Sequence, residues 1–347
     1  MVTINSKGEV ESHPRELLSF EDILLQPRYS DIRSRKEISI GNGLAPLPII
    51  SSPMDTVTEF EMAVTLGKLG GIGVIHRYNS IEEQASIVGR LEMEPDVWVP
   101  AAAVGITGDY LERAQELATR GLNLLCIDVA HGHHILVKEA LHNIKKALSG
   151  HKIHIMAGNV ATLEAFNDLA DWGADSIRVG IGGGSICSTR VQTGHGMPTL
   201  QSVIDCARSD RDALLIADGG IKNSGDMVKA LAAGADAVMV GSLLAGTDES
   251  PGEIVETATG KHKAYRGMAS KDAQIDWRGK VSSAEGISTM IPYKGTVENI
   301  IEDLAKGIRS GFSYSGARNL IEFQAMAKFV KQTSAGQIES STHILRR

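Results

Sequence analysis

The sequence has few cysteines, few aromatic residues, no strong excess of one charge and no long hydrophobic run. Its three cysteines, Cys126, Cys187 and Cys206, are far apart, so they form neither a disulfide framework nor a Cys-x-x-Cys metal motif. The 35 basic and 42 acidic residues are interspersed and leave a net charge of −7, which argues against a nucleic-acid-binding surface. No segment approaches the roughly 20 apolar residues of a membrane span. The first residues also lack the basic and apolar regions of a secretory signal. We therefore expect a cytoplasmic protein with reduced cysteines and no membrane or nucleic-acid partner.

What the sequence has instead is a regular alternation of short apolar runs and helix-like segments over its 347 residues. Apolar runs without alternating polar residues are typical of strands buried on both faces of a parallel sheet. Eight runs of this kind occur, at residues 47–53, 72–76, 99–105, 123–130, 154–160, 176–182, 213–220 and 237–246. Segments such as SIEEQASIVGRLEM and SGDMVKALAAGA separate them, with glycines where helices should end. The pattern predicts an α/β fold, a (β/α)8 barrel in which residues 1–347 form a single catalytic domain. A doubly wound open sheet is the alternative.

In a (β/α)8 barrel the loops after the carboxyl ends of the strands carry the active site. Polar side chains fall at these positions in the predicted strands. They are Ser51, Ser52, Met54 and Asp55 after the first strand, Asp128 after the fourth, Asn159 after the fifth, Asp218 after the seventh, and Gly241 and Ser242 within the eighth. Taken singly, each residue is more commonly a cap or a turn residue. Their convergence on one mouth predicts a ligand-binding site.

Two glycine-containing stretches at this end of the barrel are candidate phosphate sites. Backbone N–H groups of glycines can approach an anion without a Cβ in the way. The loop around Gly184 and Ser185 and the pair Gly241–Ser242 both have this character and follow neighbouring late strands. Asp218, in IADGG, could either accept hydrogen bonds from two ribose hydroxyls or cap the N-terminus of a helix. A nucleotide is thus one ligand class that fits these stretches.

Cys187 lies in the loop GIGGGSICSTR, which follows the sixth predicted strand. A lone cysteine is commonly a small buried hydrophobe, and we expect this of Cys126, within a strand. Cys187 is instead surrounded by small residues at the catalytic end, where N–H dipoles would stabilise a thiolate. It is therefore predicted to be a nucleophile that attacks either an electrophilic ring carbon or an acyl carbon.

A segment of about fifty residues separates the eighth strand from the helical pattern TVENIIEDLAKGIRSGF. Connections of this length are commonly functional lids or disordered. The segment is rich in charged and small residues, and this composition predicts a mobile lid at about residues 250–295. Glu285, in SSAEG, is either a catalytic acid or base that the lid brings to the site or a solvated carboxylate.

Seven motifs occur in an order that resembles the IMP dehydrogenase/GMP reductase family, from about Phe20 to Thr333. They are SSPMDTV, GGIGVIH, GIGGGSICSTR, IADGGI, GSLLAGTDESPGE, YRGM and YKG. The resemblance implies a nicotinamide-dependent oxidoreductase that acts at C2 of a purine mononucleotide. Only 22 positions separate His76 from Trp98, where many IMP dehydrogenases insert a pair of regulatory CBS modules. We therefore expect a bare catalytic barrel.

The resemblance also implies roles for individual residues. Cys187 matches the cysteine that adds to C2, and Thr189 and Glu285 match a pair that transfers protons at the resulting intermediate. The positions that match contacts to the mononucleotide are Ser52, Met54, Ser185, Asp218, Gly220, Gly241, Ser242, Tyr265, Gly267 and Met268. Those assigned to the nicotinamide cofactor are Asp128, Asn159 and Gly180, and the backbone of Gly182, Gly184 and Cys187 matches a potassium site. Gly183 departs from the family pattern, since most members have proline there.

Both reaction directions are compatible with these motifs. The dehydrogenase uses an arginine–tyrosine pair on its lid to hydrolyse the intermediate, whereas here WRG places Gly279 after Arg278. This departure and the stretch TGHGMPTLQSVIDCA favour GMP reductase with NADPH. The stretches DVAHGHH, SIEEQ and SAGQIES are more similar to IMP dehydrogenase with NAD+, which is the alternative.

Two other functional classes have less support in the sequence. A nucleotide-binding barrel without activity is a remote alternative, because Cys187, Thr189 and Glu285 occur together. An aldolase or lyase would want a Schiff-base lysine at a strand end, and none of the eight predicted ends supplies one. For the assembly, the resemblance implies a homotetramer or homo-octamer.

Overall fold

A computed structural model of the chain describes residues 15–340. No secretory signal is expected in the first residues, and residues 1–14 lie outside the described range. Within the described range the strands are β1 (Ile23–Leu25), β2 (Ile49–Ser51), β3 (Ile72–Ile75), β4 (Ala101–Val104), β5 (Leu124–Asp128), β6 (His154–Val160), β7 (Ser176–Val179), β8 (Leu214–Asp218), β9 (Ala237–Val240), β10 (Val255–Thr257), β11 (Gly260–Arg266), β12 (Ser288–Pro292) and β13 (Phe329–Lys331).

The helices alternate with the strands through most of the chain. They are α1 (Phe60–Lys68), α2 (Ile81–Glu92), α3 (Tyr110–Thr119), α4 (Ile135–Ala147), α5 (Leu163–Asp171), α6 (Thr189–Thr193), α7 (Thr199–Cys206), α8 (Ser224–Ala232), α9 (Lys271–Arg278), α10 (Val297–Ser315), α11 (Leu320–Met326) and α12 (Ser334–Glu339). The chain between residues 15 and 340 contains no helix with both the length and the apolar character that a membrane span requires.

Strands β2 to β9 form a closed parallel barrel in chain order, with β2 paired to β9. Each of the eight lies within one predicted apolar run, so the (β/α)8 fold is confirmed. The last predicted run is too long, since Gly241 and Ser242 follow β9 and do not belong to it. The reason is local, because the Gly241 carbonyl accepts hydrogen bonds from the amides of Leu244 and Ala245, which turns the chain out of the sheet.

Side chains inside the barrel form one hydrophobic cluster, and a larger cluster lies between the strands and the surrounding helices. Within the barrel, Ala101 and Ala103 belong to the same cluster as the longer Met156 and Met239. Mixing small and large side chains fills a narrow barrel without voids. Cys126 belongs to this inner cluster and is fully buried, as its place in a strand predicted.

Sequence patterns also fix where the helices begin and end. Ser80 starts α2 with a capping box, in which its hydroxyl accepts from the amide of Glu83 while the Glu83 carboxylate accepts from Ser80. At the other end of the fold, α10 stops at Gly316, whose φ of +75° is the left-handed conformation that terminates helices. Helix α10 packs on α8 and α1 and closes the ring of helices after β9.

The lid segment, residues 250–295, is more ordered than a long loop. It forms a three-stranded antiparallel sheet, β10–β11–β12, with α9 between its last two strands. In β11, Lys263 and Tyr265 are buried and alternate with exposed Ala264, so this strand has an inner and an outer face. The Lys263 ammonium donates to the carbonyls of Thr247 and Ser250, which stabilises a buried charge. The lid expected at about residues 250–295 therefore contains regular secondary structure, which the sequence pattern did not predict.

Close packing between β3 and α1 yields a stability prediction. A Cβ on Gly73 would lie 2.4 Å from the Ala63 Cα, so Gly73→Ala must push α1 away from the barrel. We expect the free energy of unfolding to fall by about 1–3 kcal/mol. The matched control is Gly150→Ala, where the new Cβ meets nothing within 4 Å. Urea unfolding should place this variant within about 0.5 kcal/mol of the parent; equal losses in both would contradict the packing argument.

Candidate active site

One cavity of about 450 Å³ opens at the carboxyl ends of the barrel strands. It brings together every residue to which the family resemblance assigns a role in the site. These are Ser52, Met54, Asp128, Asn159, Gly180, Gly182, Gly184, Ser185, Cys187, Thr189, Asp218, Gly220, Gly241, Ser242, Tyr265, Gly267, Met268 and Glu285. Contributions from most of the strand ends and from the lid segment therefore converge on a single volume.

Two residues noted at the first strand end do not line this cavity. Ser51 is buried and accepts a hydrogen bond of 2.7 Å from the Thr58 hydroxyl. The Asp55 carboxylate accepts from the guanidinium of Arg266, which also bonds Asp276 on α9. Both residues thus stabilise the loop after β2, and Arg266 links that loop to the lid segment.

The candidate nucleophile is the first member of a hydrogen-bonded chain of three side chains. Cys187 is exposed to the cavity, and its Sγ lies 3.1 Å from Thr189 Oγ1. The Thr189 hydroxyl donates to Glu285 Oε2 at 2.8 Å. A proton-transfer path therefore runs from a carboxylate in the lid segment to the atoms that surround the sulfur.

Backbone pairing between the lid segment and the loop after β7 positions Glu285. The amide of Ser188 donates to the Glu285 carbonyl at 2.9 Å, and the amide of Ile287 donates to the Ile186 carbonyl at 3.1 Å. Cys187 and Gly286 thereby face each other as an isolated antiparallel bridge. The carboxylate is therefore held near the sulfur by main-chain contacts of its own neighbours.

Glycines in the loop after β7 are required by close backbone contacts. Gly180 has a φ of +148°, and a Cβ there would lie 1.9 Å from the Asp218 carbonyl oxygen. A Cβ on Gly183 would lie 2.5 Å from Thr199 Oγ1, so the packing confines this residue although its sequence neighbours are glycines. The stem of Arg190 lies against Gly182, and its guanidinium donates to the Met197 carbonyl. Packing, and not proline, holds this loop in place.

Four charged side chains with alternating sign cross the floor of the cavity. The Arg178 guanidinium donates to Asp218 Oδ2 at 2.8 Å and also to Asp128 Oδ1. Asp128 Oδ2 lies 3.8 Å from Arg77 Nε, and the Asn159 amide donates to Asp218 Oδ2 at 2.7 Å. Burial opposes the charge on Arg178, yet the two nearby carboxylates outweigh it and raise the pKa of this guanidinium. The carboxylates thus reach the cavity with their charges compensated.

Arg178 is the main functional candidate that sequence reasoning missed. It lies within the apolar run SIRVGIG, which predicts a strand and gives no hint of a site residue. A charged residue in the middle of a buried strand is rarely tolerated unless it is paired, and that was the available signal.

Gly241 lies at the centre of a polar corner of the same cavity. A Cβ on Gly241 would lie 3.1 Å from Met54 Sδ and 3.4 Å from both Ser52 Oγ and the Tyr265 hydroxyl. The same hydroxyl is 3.4 Å from Ser185 Oγ. Burial raises the pKa of Tyr265, so its hydroxyl remains a neutral donor. Hydroxyls and free amides around glycine are suited to a phosphate.

Aromatic contacts hold α9 over the outer wall of the cavity. The Tyr78 ring stacks on Trp277 with centroids 5.7 Å apart, and the Tyr78 hydroxyl donates to the Met268 carbonyl at 2.8 Å. Tyr78 and its neighbour Arg77 both line the cavity. Neither was predicted, because a Tyr or Arg after a strand carries no chemical signature in sequence.

Comparisons with known proteins agree on one family. Residues 17–343 match the model of the IMP dehydrogenase / GMP reductase domain. Inosine-5'-monophosphate dehydrogenase of Nitrosopumilus maritimus is 33% identical, over 95% of this chain and 98% of its own. GMP reductase of Leishmania major is 30% identical, over 94% and 97%. A solved structure is also similar: the crystal structure of a cysteine-to-alanine variant of GMP reductase from Trypanosoma brucei, in complex with guanosine 5'-monophosphate. It superposes with a TM-score of 0.90 at 29% sequence identity, and the match covers 96% of this chain and 98% of that chain.

The three cysteines should differ sharply in reactivity. Burial raises the pKa values of Cys126 and Cys206 to about 12, so both thiols stay protonated and shielded at pH 8. Cys187 is exposed. We expect iodoacetamide to modify Cys187 alone in the folded protein, as read by peptide mass spectrometry. Cys187→Ala is the control and should take up no label; modification of Cys126 in the folded protein would contradict the assignment.

Proposed function

Since the chain belongs to the IMP dehydrogenase/GMP reductase family, we propose that it is a GMP reductase that converts GMP to IMP and ammonia with NADPH. The members of this family are oxidoreductases. The observation that carries the proposal is the hydrogen-bonded chain of Cys187, Thr189 and Glu285. It lies in the same cavity as the polar corner suited to a phosphate and as the Asp218 carboxylate.

The cavity has the donors and acceptors that a purine mononucleotide needs. The corner formed by Ser52, Ser185, Gly241, Ser242 and Tyr265 would bind the phosphate, supported by its hydroxyls and glycine amides. Asp218 would bind the ribose hydroxyls through Oδ1, since its protein partners all bond Oδ2.

The base would then lie between the Cys187 loop and the part of the lid segment that follows β11. Met54, Gly220, Gly267 and Met268 line this part of the cavity. Binding in this orientation would bring C2 within bonding reach of the Cys187 sulfur, and the pairing of the lid segment with the loop would exclude bulk water.

The chemistry requires a nucleophile and a proton donor at C2. The Cys187 thiolate would add to C2 of GMP, and the C2 amino group would leave as ammonia after Thr189 and Glu285 deliver a proton. The sulfur would then leave C2 when hydride arrives there, which regenerates the thiolate and yields IMP. The overall reaction is GMP, NADPH and two protons to IMP, NADP+ and ammonium.

The cofactor would lie along the charged floor, against Asp128, Asn159 and Gly180. These residues fit a dinucleotide because Asp128 can accept ribose hydroxyls and Arg77 Nε is a buried N–H that lacks a hydrogen-bond partner within residues 15–340. When bound, the reduced nicotinamide supplies the hydride to C2. The residues of the chain orient it and exclude water.

The carbonyls of Gly182, Gly184 and Cys187 would hold a potassium ion. Neutral backbone carbonyls clustered within one turn are the donors that potassium prefers. Gly182 has a φ of +79°, which folds this loop back on itself, and the Gly184 carbonyl accepts from Cys187 N with its second lone pair left over. We also propose a cytoplasmic homotetramer or homo-octamer, in line with the family.

The lid segment bears on the direction of the reaction. Helix α9 ends at Arg278, and the residue after this arginine is Gly279, in the left-handed conformation, and not a tyrosine. The family resemblance associates hydrolysis with an arginine–tyrosine pair, so the absence of a tyrosine directly after Arg278 favours GMP reductase. IMP dehydrogenase, with IMP, NAD+ and water giving XMP and NADH, is the second candidate, favoured by relatives of that name at 33–36% identity.

Two parallel assays test the proposal. We expect purified protein to oxidise NADPH when GMP is added, as followed by nicotinamide absorbance, with no reduction of NAD+ in the presence of IMP and potassium. Reduction in the second mixture alone would reverse the assignment in favour of IMP dehydrogenase. Cys187→Ala is the control, because it should lose turnover and still bind GMP in calorimetry.

Glu285→Gln tests the proton path. The amide preserves the shape of the carboxylate but cannot relay a proton through Thr189, so ammonia release should slow by about 10²–10⁴-fold. Hydride transfer, measured in reverse from IMP and NADP+ in a single turnover, should slow much less. Equal slowing of both steps would count against this role for Glu285.

A further inference from the structure

Arg178 connects residues that belong to the two halves of the cavity. It lies on β7, is only 6% exposed, and contacts Asp218 at the end of β8 and Asp128 at the end of β5. Asp218 lies in the half assigned above to the mononucleotide, and Asp128 in the half assigned to the dinucleotide. No other residue between positions 15 and 340 bonds both carboxylates.

The barrel leaves room for this connection. Arg178 must extend past β6 to reach Asp128 on β5, and the residue of β6 in its way is Gly158. A Cβ on Gly158 would lie 2.6 Å from the Arg178 Cβ. A glycine in mid-strand weakens a sheet, so its presence here is explained by the passage of the arginine.

A guanidinium shared between two carboxylates makes their positions interdependent. The Nη2 and Nε groups of Arg178 donate hydrogen bonds to Asp218, and its Nη1 group donates one to Asp128. The planar guanidinium therefore fixes the positions of both carboxylates together. Because the group is buried, these bonds are strong and a loss of either partner is costly. A ligand that orders Asp218 would therefore also order Arg178 and Asp128, and the second ligand would lose less entropy on binding.

We propose that Arg178 is a positioning residue that couples the mononucleotide and dinucleotide sites, so that each ligand strengthens the binding of the other. This inference rests on the function proposed above. Linkage requires the effect to be reciprocal. Arg77 and Arg178 together balance the charges of Asp128 and Asp218, so each carboxylate is suited to neutral ribose hydroxyls.

The experiment measures binding, without turnover. In the Cys187→Ala background, calorimetry gives the Kd of GMP alone and with saturating NADP+, a pair that cannot react because NADP+ carries no hydride. We expect NADP+ to lower the Kd of GMP about tenfold. Arg178→Met should reduce this factor to below about twofold, and Arg178→Lys should retain part of it, since an ammonium can bond one carboxylate but not fork to two.

Two further variants keep the test decisive. Arg113→Met removes another buried arginine, paired with Asp109 and Gln84 outside the cavity, and should keep the full factor. Asp128→Asn removes the charge of one carboxylate partner of Arg178. Measured at an NADP+ concentration that saturates this variant, its coupling factor should fall below about twofold, and this result decides the matter if Arg178→Met does not fold.

The outcomes separate this inference from the proposed function. A folded Arg178→Met protein that keeps the coupling of Arg113→Met would overturn the positioning role. The role would equally be overturned if the Cys187→Ala parent bound both GMP and NADP+ but NADP+ left the Kd of GMP unchanged. The proposed function would then stand. If neither ligand bound, both proposals would fall.

Discussion

The pairing of residues 285–287 with residues 186–188 is the interaction on which the rest of the site depends. Without it, the barrel would present a sulfur and a hydroxyl to solvent, and Glu285 would be a surface carboxylate. With it, the carboxylate lies 2.8 Å from the Thr189 hydroxyl and the sulfur is 3.1 Å from that same oxygen. Main-chain amides and carbonyls hold the two segments together, so this pairing does not require particular side chains at the neighbouring positions.

The barrel floor shows the complementary constraint, that charge near a buried sheet must be compensated locally. Asp218 and Asp128 are largely shielded, and either would be unstable as an isolated anion. The alternating order of Arg77, Asp128, Arg178 and Asp218 solves this within the protein. A floor whose charges already balance is suited to polar neutral groups, and it leaves the binding of phosphate to amides and hydroxyls elsewhere in the cavity.

Periodicity predicted the barrel well, because continuous apolar runs reflect burial on both faces of a strand and this burial is the same in every strand. It did not identify the strands of the lid segment, where β11 alternates in burial and carries lysines and a histidine, which are common in loops. Motif resemblance placed all its residues in one cavity. It did not find Arg178 or Tyr78, since their importance lies in partners far along the chain, and sequence alone gives no distance between strands β5, β7 and β8.

A division of labour between barrel and lid would explain how one family includes both IMP dehydrogenases and GMP reductases. Under the proposed function, the Cys187 sulfur would attack C2 in either reaction, and the same residues would bind the nucleotide. The fate of the proposed adduct would then depend on whether water is activated or hydride is admitted, and the lid segment carries the position at which the two enzymes are expected to differ. In this chain a short helix stacked on Tyr78 ends in glycine, so its last arginine has no tyrosine after it. The proposed direction of catalysis thus rests on the C-terminus of α9, whereas the proposed nucleotide contacts come from the barrel loops and from Tyr265, Gly267 and Met268 of the lid segment.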